Sequence, residues 1–135
     1  MIETRHADGS LDVTAPPIDL SRGADSFREV WSRDADLFTR GQFFLTGQLV
    51  DDATSGPAHA YLALEFLVVG YVGAQRTILA RGALALERNI ATASFADASY
   101  NRIAIEARLT VDGATGSGTI PSQANLGITG KFWRS

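Results

Sequence analysis

Glu65 is the residue of this sequence whose surroundings are most unusual for its chemistry. It interrupts an apolar stretch that runs from Ala60 to Gly73. A carboxylate among apolar neighbours costs free energy unless a cation pairs with it or it takes up a proton. We therefore expect a structural ion pair with Arg81 or Arg76 on the next predicted strand, and the alternative is a catalytic acid.

Other side chains that could carry out chemistry are scarce. The chain has no cysteine, and neither His6 nor His59 has neighbours at metal-ligand spacing. No Gly-x-Ser-x-Gly motif occurs, and the glycine-rich run 113–118 lacks the Gly-Lys-Ser/Thr ending of a phosphate-binding loop. We expect no catalytic residue of these kinds, no metal site and no cofactor.

The composition is that of one folded domain. The 135 residues are 45% hydrophobic and 20% charged, which is too apolar for a disordered chain and sufficient for one core. The net charge of −3 is spread along the chain and argues against a nucleic-acid partner. We expect a cytoplasmic protein with no membrane partner, because the sequence shows neither a signal-peptide pattern nor an apolar run of roughly 20 residues.

Beyond Gly41 the side chains alternate between an apolar and a polar face, which is the pattern of half-buried β-strands. The predicted strands are 42–50, 60–72, 76–87, 90–96, 101–111 and 126–133, with a short return strand or loop over 114–119. Their predicted inner faces are Phe43, Leu45, Gly47 and Leu49, then Ile78, Ala80, Gly82, Leu84 and Leu86, then Ile103, Ile105, Ala107, Leu109 and Val111, and finally Leu126, Ile128, Gly130 and Phe132.

The first 40 residues are predicted to form an amino-terminal arm. Pro16 and Pro17 lack the amide hydrogen that a helix or an inner strand requires. The apolar residues at 27, 30, 31, 37 and 38 have loosely helical spacing, so one short helix is expected over 26–38. Residues 41–135 are assigned to the β-structure, and the chain as a whole to one domain.

The fold class that follows is all-β. Strands joined by short connections favour an antiparallel meander, and closing it into a single barrel of about seven to eight strands removes exposed edges. A β-sandwich satisfies the same alternation and is the alternative fold.

The predicted strand 60–72 differs from the others because both of its faces are apolar. One face would fill the interior, and the other needs a cover. Two covers are open: the segment around Trp31, or a second subunit in a homodimer.

Three segments resemble a known family of small barrels. Residues 78–87 (ILARGALALE) and 90–97 (IATASFAD) look like the paired central strands of the calycin-like allene-oxide-cyclase and dirigent-like barrels. Residues 126–134 (LGITGKFWR) are similar to the last strand of the small spirotetronate cyclases, bacterial members of this barrel type. The resemblance implies an eight-stranded barrel, whose eighth strand must come from the arm around residues 11–14.

The resemblance also implies a function. These proteins enclose a flexible substrate in an apolar interior and close polyketide rings by [4+2] cycloaddition, without a cofactor and largely through conformational restraint. An apolar small molecule is then the expected partner. The expected substrate-binding residues are Phe43, Glu65, Phe66, Tyr71, Phe95 and Trp133. The alternative is a non-catalytic β-protein that binds a hydrophobic ligand or mediates assembly.

Overall fold

The computed structural model describes residues 1–21, 26–35, 38–49, 62–85, 90–96, 100–111 and 123–134. Ten strands lie in these ranges, and every strand pair is antiparallel. They are β1 (Ile2–Arg5), β2 (Leu11–Thr14), β3 (Ile18–Ser21), β4 (Arg28–Asp34), β5 (Arg40–Leu49), β6 (Leu62–Val72), β7 (Gln75–Ala85), β8 (Ile90–Phe95), β9 (Arg102–Val111) and β10 (Gln123–Trp133). The described ranges contain no helix, and hence none that could cross a bilayer. The all-β prediction is confirmed.

Six strands form one sheet, in the order β1-β2-β10-β5-β8, with β3 also paired to β10. β2 pairs with residues 129–132 and β3 with residues 123–126, so the two strands follow one another along the same edge of β10. Pro16 and Pro17 separate them, because proline has no amide hydrogen for the ladder. The segment predicted as an arm therefore supplies three strands of this sheet, including the strand expected at 11–14.

The other four strands form a second sheet, in the order β4-β9-β6-β7. Within the described strands, only β1–β2 and β6–β7 pair as hairpins of consecutive strands, so the predicted meander is wrong. Residues far apart in the sequence are instead brought together, as in the pairs β5–β10 and β6–β9. The two sheets approach each other where β7 lies beside β8 and β3 beside β9.

The inner faces of both sheets share one hydrophobic core. The predicted inner-face residues buried in it are Phe43, Leu45, Leu84, Ile103, Ile105, Ala107, Leu109, Leu126, Ile128 and Phe132. The first 40 residues add Leu11, Val13, Ala15, Leu20, Trp31, Ala35 and Phe38 to the same core. The side chains of Leu49 and Val111, residue Leu86 and the predicted return strand 114–119 lie outside what the structure describes.

Three phenylalanine rings of the core lie against a glycine directly opposite on a neighbouring strand. These Phe–Gly pairs are Phe66 with Gly82, Phe43 with Gly130 and Phe95 with Gly41. A Cβ atom at Gly82 would stand 2.6 Å from Cζ of Phe66, and one at Gly41 would stand 2.5 Å from Cε1 of Phe95. Each ring thus occupies the space above its glycine, which lets the core pack without voids at these points.

The helix predicted over 26–38 is wrong, because Arg28–Asp34 form β4, paired with β9. The β4–β9 ladder has a bulge between Glu29 and Trp31, so Val30 is an extra residue on β4. A bulge shifts the two-residue alternation by one. The apolar residues at 27, 30 and 31 therefore have a spacing that also suits a helix.

A second bulge places Ile78 on the outer face of the four-stranded sheet. The β6–β7 ladder sets Val68 opposite Ala80 and Val69 opposite Ile78, so Leu79 is the extra residue. Ile78 is 40% exposed as a result. The prediction that Ile78 shares the inner face with Leu84 is therefore wrong.

Candidate functional site

The six predicted substrate-binding residues do not form one site. Three point into the core and are buried, whereas the other three lie on outer faces: Phe43, Phe66 and Phe95 inside, and Glu65, Tyr71 and Trp133 outside. The ring centres of Phe43 and Phe95 are 6.4 Å apart, and Phe132 meets Phe43 edge-on at 5.4 Å. Aromatic side chains thus fill the interior in which the resemblance places a substrate.

Glu65 forms a structural ion pair, but its partner differs from the prediction. Nε of Arg108 donates to Oε2 of Glu65 at 2.6 Å, and the two residues lie opposite each other in the β6–β9 ladder. The sequence predicts Arg81 or Arg76 because β7 follows β6 in the chain, yet the β6–β7 register sets Ala83 opposite Glu65. The ion pair is therefore confirmed and the predicted partners are wrong.

Tyr71 lies on the same outer face, within a second group of charged residues. The guanidinium carbon of Arg102 is 4.0 Å from the centre of the Tyr71 ring. The Tyr71 hydroxyl donates to Oε2 of Glu106 at 3.4 Å, and Arg76 donates to the same carboxylate from Nε at 3.1 Å and from Nη2 at 2.8 Å. Glu106 is only 8% exposed, and these donors offset the cost of burying its charge.

These ion pairs keep two guanidinium groups charged. The hydrogen bonds to Glu106 raise the pKa of Arg76 above its ordinary value. Glu29 accepts from Nη1 of Arg102 at 2.6 Å and likewise raises the pKa of Arg102. Neither group can therefore exchange a proton near neutral pH, and their chemistry is limited to holding anions in place.

The same outer face carries an open groove of about 660 Å³, which we call the outer groove. Apolar and charged side chains alternate along its lining, which consists of Phe27, Phe66, Leu67, Ile78, Gly82 and Ala83 together with Glu65, Arg76, Arg81 and Arg108. The bulge at Leu79 turns Ile78 into this groove. The outer groove thus presents apolar surface beside three cations and one carboxylate.

The three arginines of the outer groove differ in their partners. Arg76 binds Glu106, and Arg108 binds Glu65 while its guanidinium carbon lies 4.4 Å from the centre of the Phe27 ring. In the part of the chain that the structure describes, no hydrogen bond or ion pair involves Arg81. A bound anion would therefore compete with no described side chain for the Arg81 guanidinium.

Sequence reasoning missed Phe27, Leu67 and Arg108 as neighbours. The alternation places Arg108 on the polar face of 101–111 and Leu67 on the same face of 60–72 as Glu65, but it leaves open which face of 60–72 points outward. The alternation does not show that β6 pairs with β9, and this pairing brings the faces of Leu67 and Arg108 side by side. Phe27 carried no such signal, because its segment has a spacing that also suits a helix.

The described residues contain no group of three His, Cys, Asp or Glu side chains that could hold a metal ion. Nε2 of His6 lies 2.6 Å from Oδ2 of Asp12 in an exposed pair. His59 lies outside the described residues.

No protein-family profile matches this chain, and no curated protein matches it. Among solved structures, it is similar to the SPBc2 prophage-derived protein YomS, with 12% sequence identity and a TM-score of 0.47. The match covers 90% of this chain and 93% of that chain. This likeness favours no particular function.

Proposed function

We propose that this chain is a non-catalytic binding protein, and that the outer groove takes a small molecule with an apolar body and one acidic group. The observation that carries the proposal is the Arg81 guanidinium, which has no partner among the described residues and lies beside an apolar wall. A cation beside apolar surface complements an amphipathic acid, because one part of the site binds each end of the ligand.

The apolar side chains of the outer groove suit an alkyl or aryl group. Ile78 is 40% exposed on the surface of a strand, and Phe27, Leu67 and Ala83 line the same space. Burying apolar surface is worth roughly 25 cal/mol per Å², so covering these side chains favours binding. A molecule of this kind would lie along the outer face of β7.

The guanidinium groups of the outer groove suit a carboxylate, sulfonate or sulfate. Its lining holds three guanidinium groups against the single carboxylate of Glu65. Arg76 and Arg108 already donate to carboxylates, which leaves Arg81 to donate two parallel hydrogen bonds to the ligand. Binding should therefore weaken as salt concentration rises.

The test compares dodecanoate with dodecanol, two molecules with the same apolar chain and different head groups. Dodecanoate should raise the melting temperature more than dodecanol, because a ligand that binds only the folded state stabilises it in proportion to occupancy. Arg81→Gln should remove this difference. Arg40→Gln, which changes an exposed arginine of the other sheet, is the matched control and should leave it intact.

Equal shifts from the acid and the alcohol would contradict the proposal. So would an Arg81→Gln variant that still prefers dodecanoate as strongly as the unchanged protein does.

We also propose that the two sheets close into one barrel. The approach of β7 to β8 and of β3 to β9 supports closure. The cyclase activity that the resemblance implies requires space for a substrate inside, whereas the core between the sheets holds packed phenylalanine and aliphatic side chains. That activity stays a prediction, and the outer groove is the site that the geometry favours.

A further inference from the structure

A second site lies on the outer face of the six-stranded sheet, around Trp133. Three strands contribute: Gln42 of β5 faces Ser94 of β8 and Lys131 of β10, and Arg40 faces Trp133 in the next row. Neighbouring strands are about 4.8 Å apart and successive same-face residues about 7 Å apart. These side chains therefore cover a flat patch about the size of one or two sugar rings. We call this patch the Trp133 shelf.

Part of the Trp133 shelf is an open pocket of about 650 Å³. Its lining consists of Arg40, Gly41, Gln42, Ser94, Phe95, Ala96 and Trp133, and contains no carboxylate from the residues that the structure describes. The pocket is therefore built from one cation, two neutral groups that can both donate and accept hydrogen bonds, and a half-buried indole.

The charges of the Trp133 shelf favour an anion. The guanidinium carbon of Arg40 lies 4.8 Å from the centre of the Trp133 ring, and Nζ of Lys131 lies 5.6 Å from it. Within the described residues neither cation has an ion pair. Asp12, opposite Lys131 on β2, is engaged by His6 at 2.6 Å. The indole thus holds two cations, of which Lys131 lies near the carboxylates of Asp8 and Asp12, whereas Arg40 has no ion pair within the described residues.

We propose that the Trp133 shelf binds an acidic saccharide, that is, a sugar bearing a carboxylate or sulfate. Arg40 would donate to the acidic group, while the Gln42 amide and the Ser94 hydroxyl exchange hydrogen bonds with ring hydroxyls. The C–H face of the sugar would cover the exposed part of the indole. This site lies on the other sheet from the outer groove and does not depend on the proposed function.

The two tryptophans provide a direct test. Trp133 is half-buried in the shelf, whereas Trp31 is buried in the core. A heparin-derived tetrasaccharide should change the tryptophan fluorescence of the unchanged protein, and the neutral cellotetraose should have little effect. In Trp133→Phe, Trp31 is the one remaining tryptophan, so the fluorescence change on adding the tetrasaccharide should disappear. Calorimetry then measures whether this variant still binds the tetrasaccharide.

Calorimetry with substituted proteins assigns the contacts. Arg40→Gln should weaken binding of the heparin tetrasaccharide about tenfold or more, since a charge-assisted hydrogen bond is lost. Ser94→Ala should weaken it less. Arg28→Gln, which changes an exposed arginine of β4 outside both sites, is the matched control and should bind as the unchanged protein does, and urea unfolding of each variant checks that it remains folded.

Several results would overturn the proposal. They are the absence of binding to the heparin tetrasaccharide, equal affinity for cellotetraose, tighter binding of adenosine monophosphate, and full affinity in a folded Arg40→Gln variant. The last would show that the anion is held elsewhere on the surface.

Discussion

Glu106 is the charged residue on which the outer face of the four-stranded sheet depends most. Its carboxylate is 8% exposed and accepts hydrogen bonds from Arg76 and Tyr71. On the neighbouring strand it faces Leu67, which is 6% exposed. The hydrogen bonds from Arg76 and Tyr71 therefore offset the free-energy cost of burying the Glu106 charge beside apolar side chains.

Arg76→Met should destabilise the protein by about 1–3 kcal/mol, because it leaves Glu106 charged and nearly buried with one weak donor. Urea unfolding measures the change. The matched control is Arg81→Met on the same strand, which breaks no described ion pair and should stay within about 0.5 kcal/mol. Adding Glu106→Leu to Arg76→Met should restore part of the loss. Equal effects of the two arginine variants would contradict this account.

Asp8 provides a prediction about pH. Its carboxylate accepts hydrogen bonds from Oγ of Ser10 at 2.6 Å and from N of Ser10 at 2.8 Å, and these bonds lower the pKa of Asp8 below its ordinary value of 3.8. The bonds therefore stabilise the turn between β1 and β2 fully above pH 3.8, and this stabilisation is lost as the pH falls through the lower, folded-state pKa.

An NMR titration of the Asp8 carboxyl carbon measures this pKa directly. We expect an inflection below 3.8 in the unchanged protein and a higher one in Ser10→Ala, which removes the hydroxyl donor. An inflection at or above 3.8 in the folded, unchanged protein would show that the turn does not hold the carboxylate as described.

The Phe–Gly pairs are the features that fix where three aromatic rings lie in the core. In the pair of Phe66 and Gly82, the ring edge lies where a Cβ atom of residue 82 would be. Because Phe66 is 1% exposed, its ring cannot swing out to solvent without opening the core. The Phe66 ring can therefore keep this position only if residue 82 has no side chain.

Gly82→Ala should destabilise the protein by about 1–3 kcal/mol through overpacking against Phe66. Ala83→Ser, at the exposed adjacent position, is the control and should change stability by less than about 0.5 kcal/mol. Phe66→Leu should lower the free energy of unfolding less in the Gly82→Ala variant than in the unchanged protein, because the smaller leucine side chain leaves room for the added methyl group. Urea unfolding of the four proteins tests the coupling, and strictly additive effects would rule it out.

Strands and their faces could be predicted from the sequence more readily than the pairing of strands could. The alternation in β5, β9 and β10 is regular, and the residues predicted to face inward there are buried wherever the structure describes their side chains. The alternation failed at the two bulges, because one extra residue at Val30 or Leu79 reverses the face of every residue beyond it.

The candidate sites could be predicted only in part for the same reason. Both depend on strands that are distant in the sequence, since β6 pairs with β9 and β5 with both β8 and β10. A period of two gives the face of each side chain but neither its neighbouring strand nor its register. The charge on Glu65 was therefore enough to predict an ion pair. Identifying Arg108 as its partner required the register of β6 with β9.

In the molecule as a whole, the first 40 residues are integral to the core. Leu11, Val13 and Leu20 are each at most 3% exposed, and Trp31 stacks on Phe132 with ring centres 6.3 Å apart. Trp31 points inward and does not cover the outer face of β6, whereas Phe27 of the same segment lines the outer groove there. The homodimer that would cover the same face stays a prediction.

Deleting residues 1–21 should abolish cooperative unfolding, because it removes β1, β2 and β3, takes apolar side chains from the core and exposes the edge of β10. Deleting only residues 1–5 is the control, since every residue of β1 is exposed, and a cooperative transition should remain. Circular dichroism on heating distinguishes the two. A chain of residues 22–135 that melts cooperatively near the temperature of the full chain would contradict the prediction.

The Phe–Gly pairs also constrain how this sequence can drift through evolution. Gly82 can accept a side chain only after Phe66 has become smaller, and each step taken alone either overpacks the core or leaves a cavity. We expect the two positions of a pair to be replaced together in descendants of this chain, while an exposed position such as Thr77 changes independently. In an alignment of such descendants, this packing would appear as correlated substitutions that link β6 to β7, and β5 to both β10 and β8.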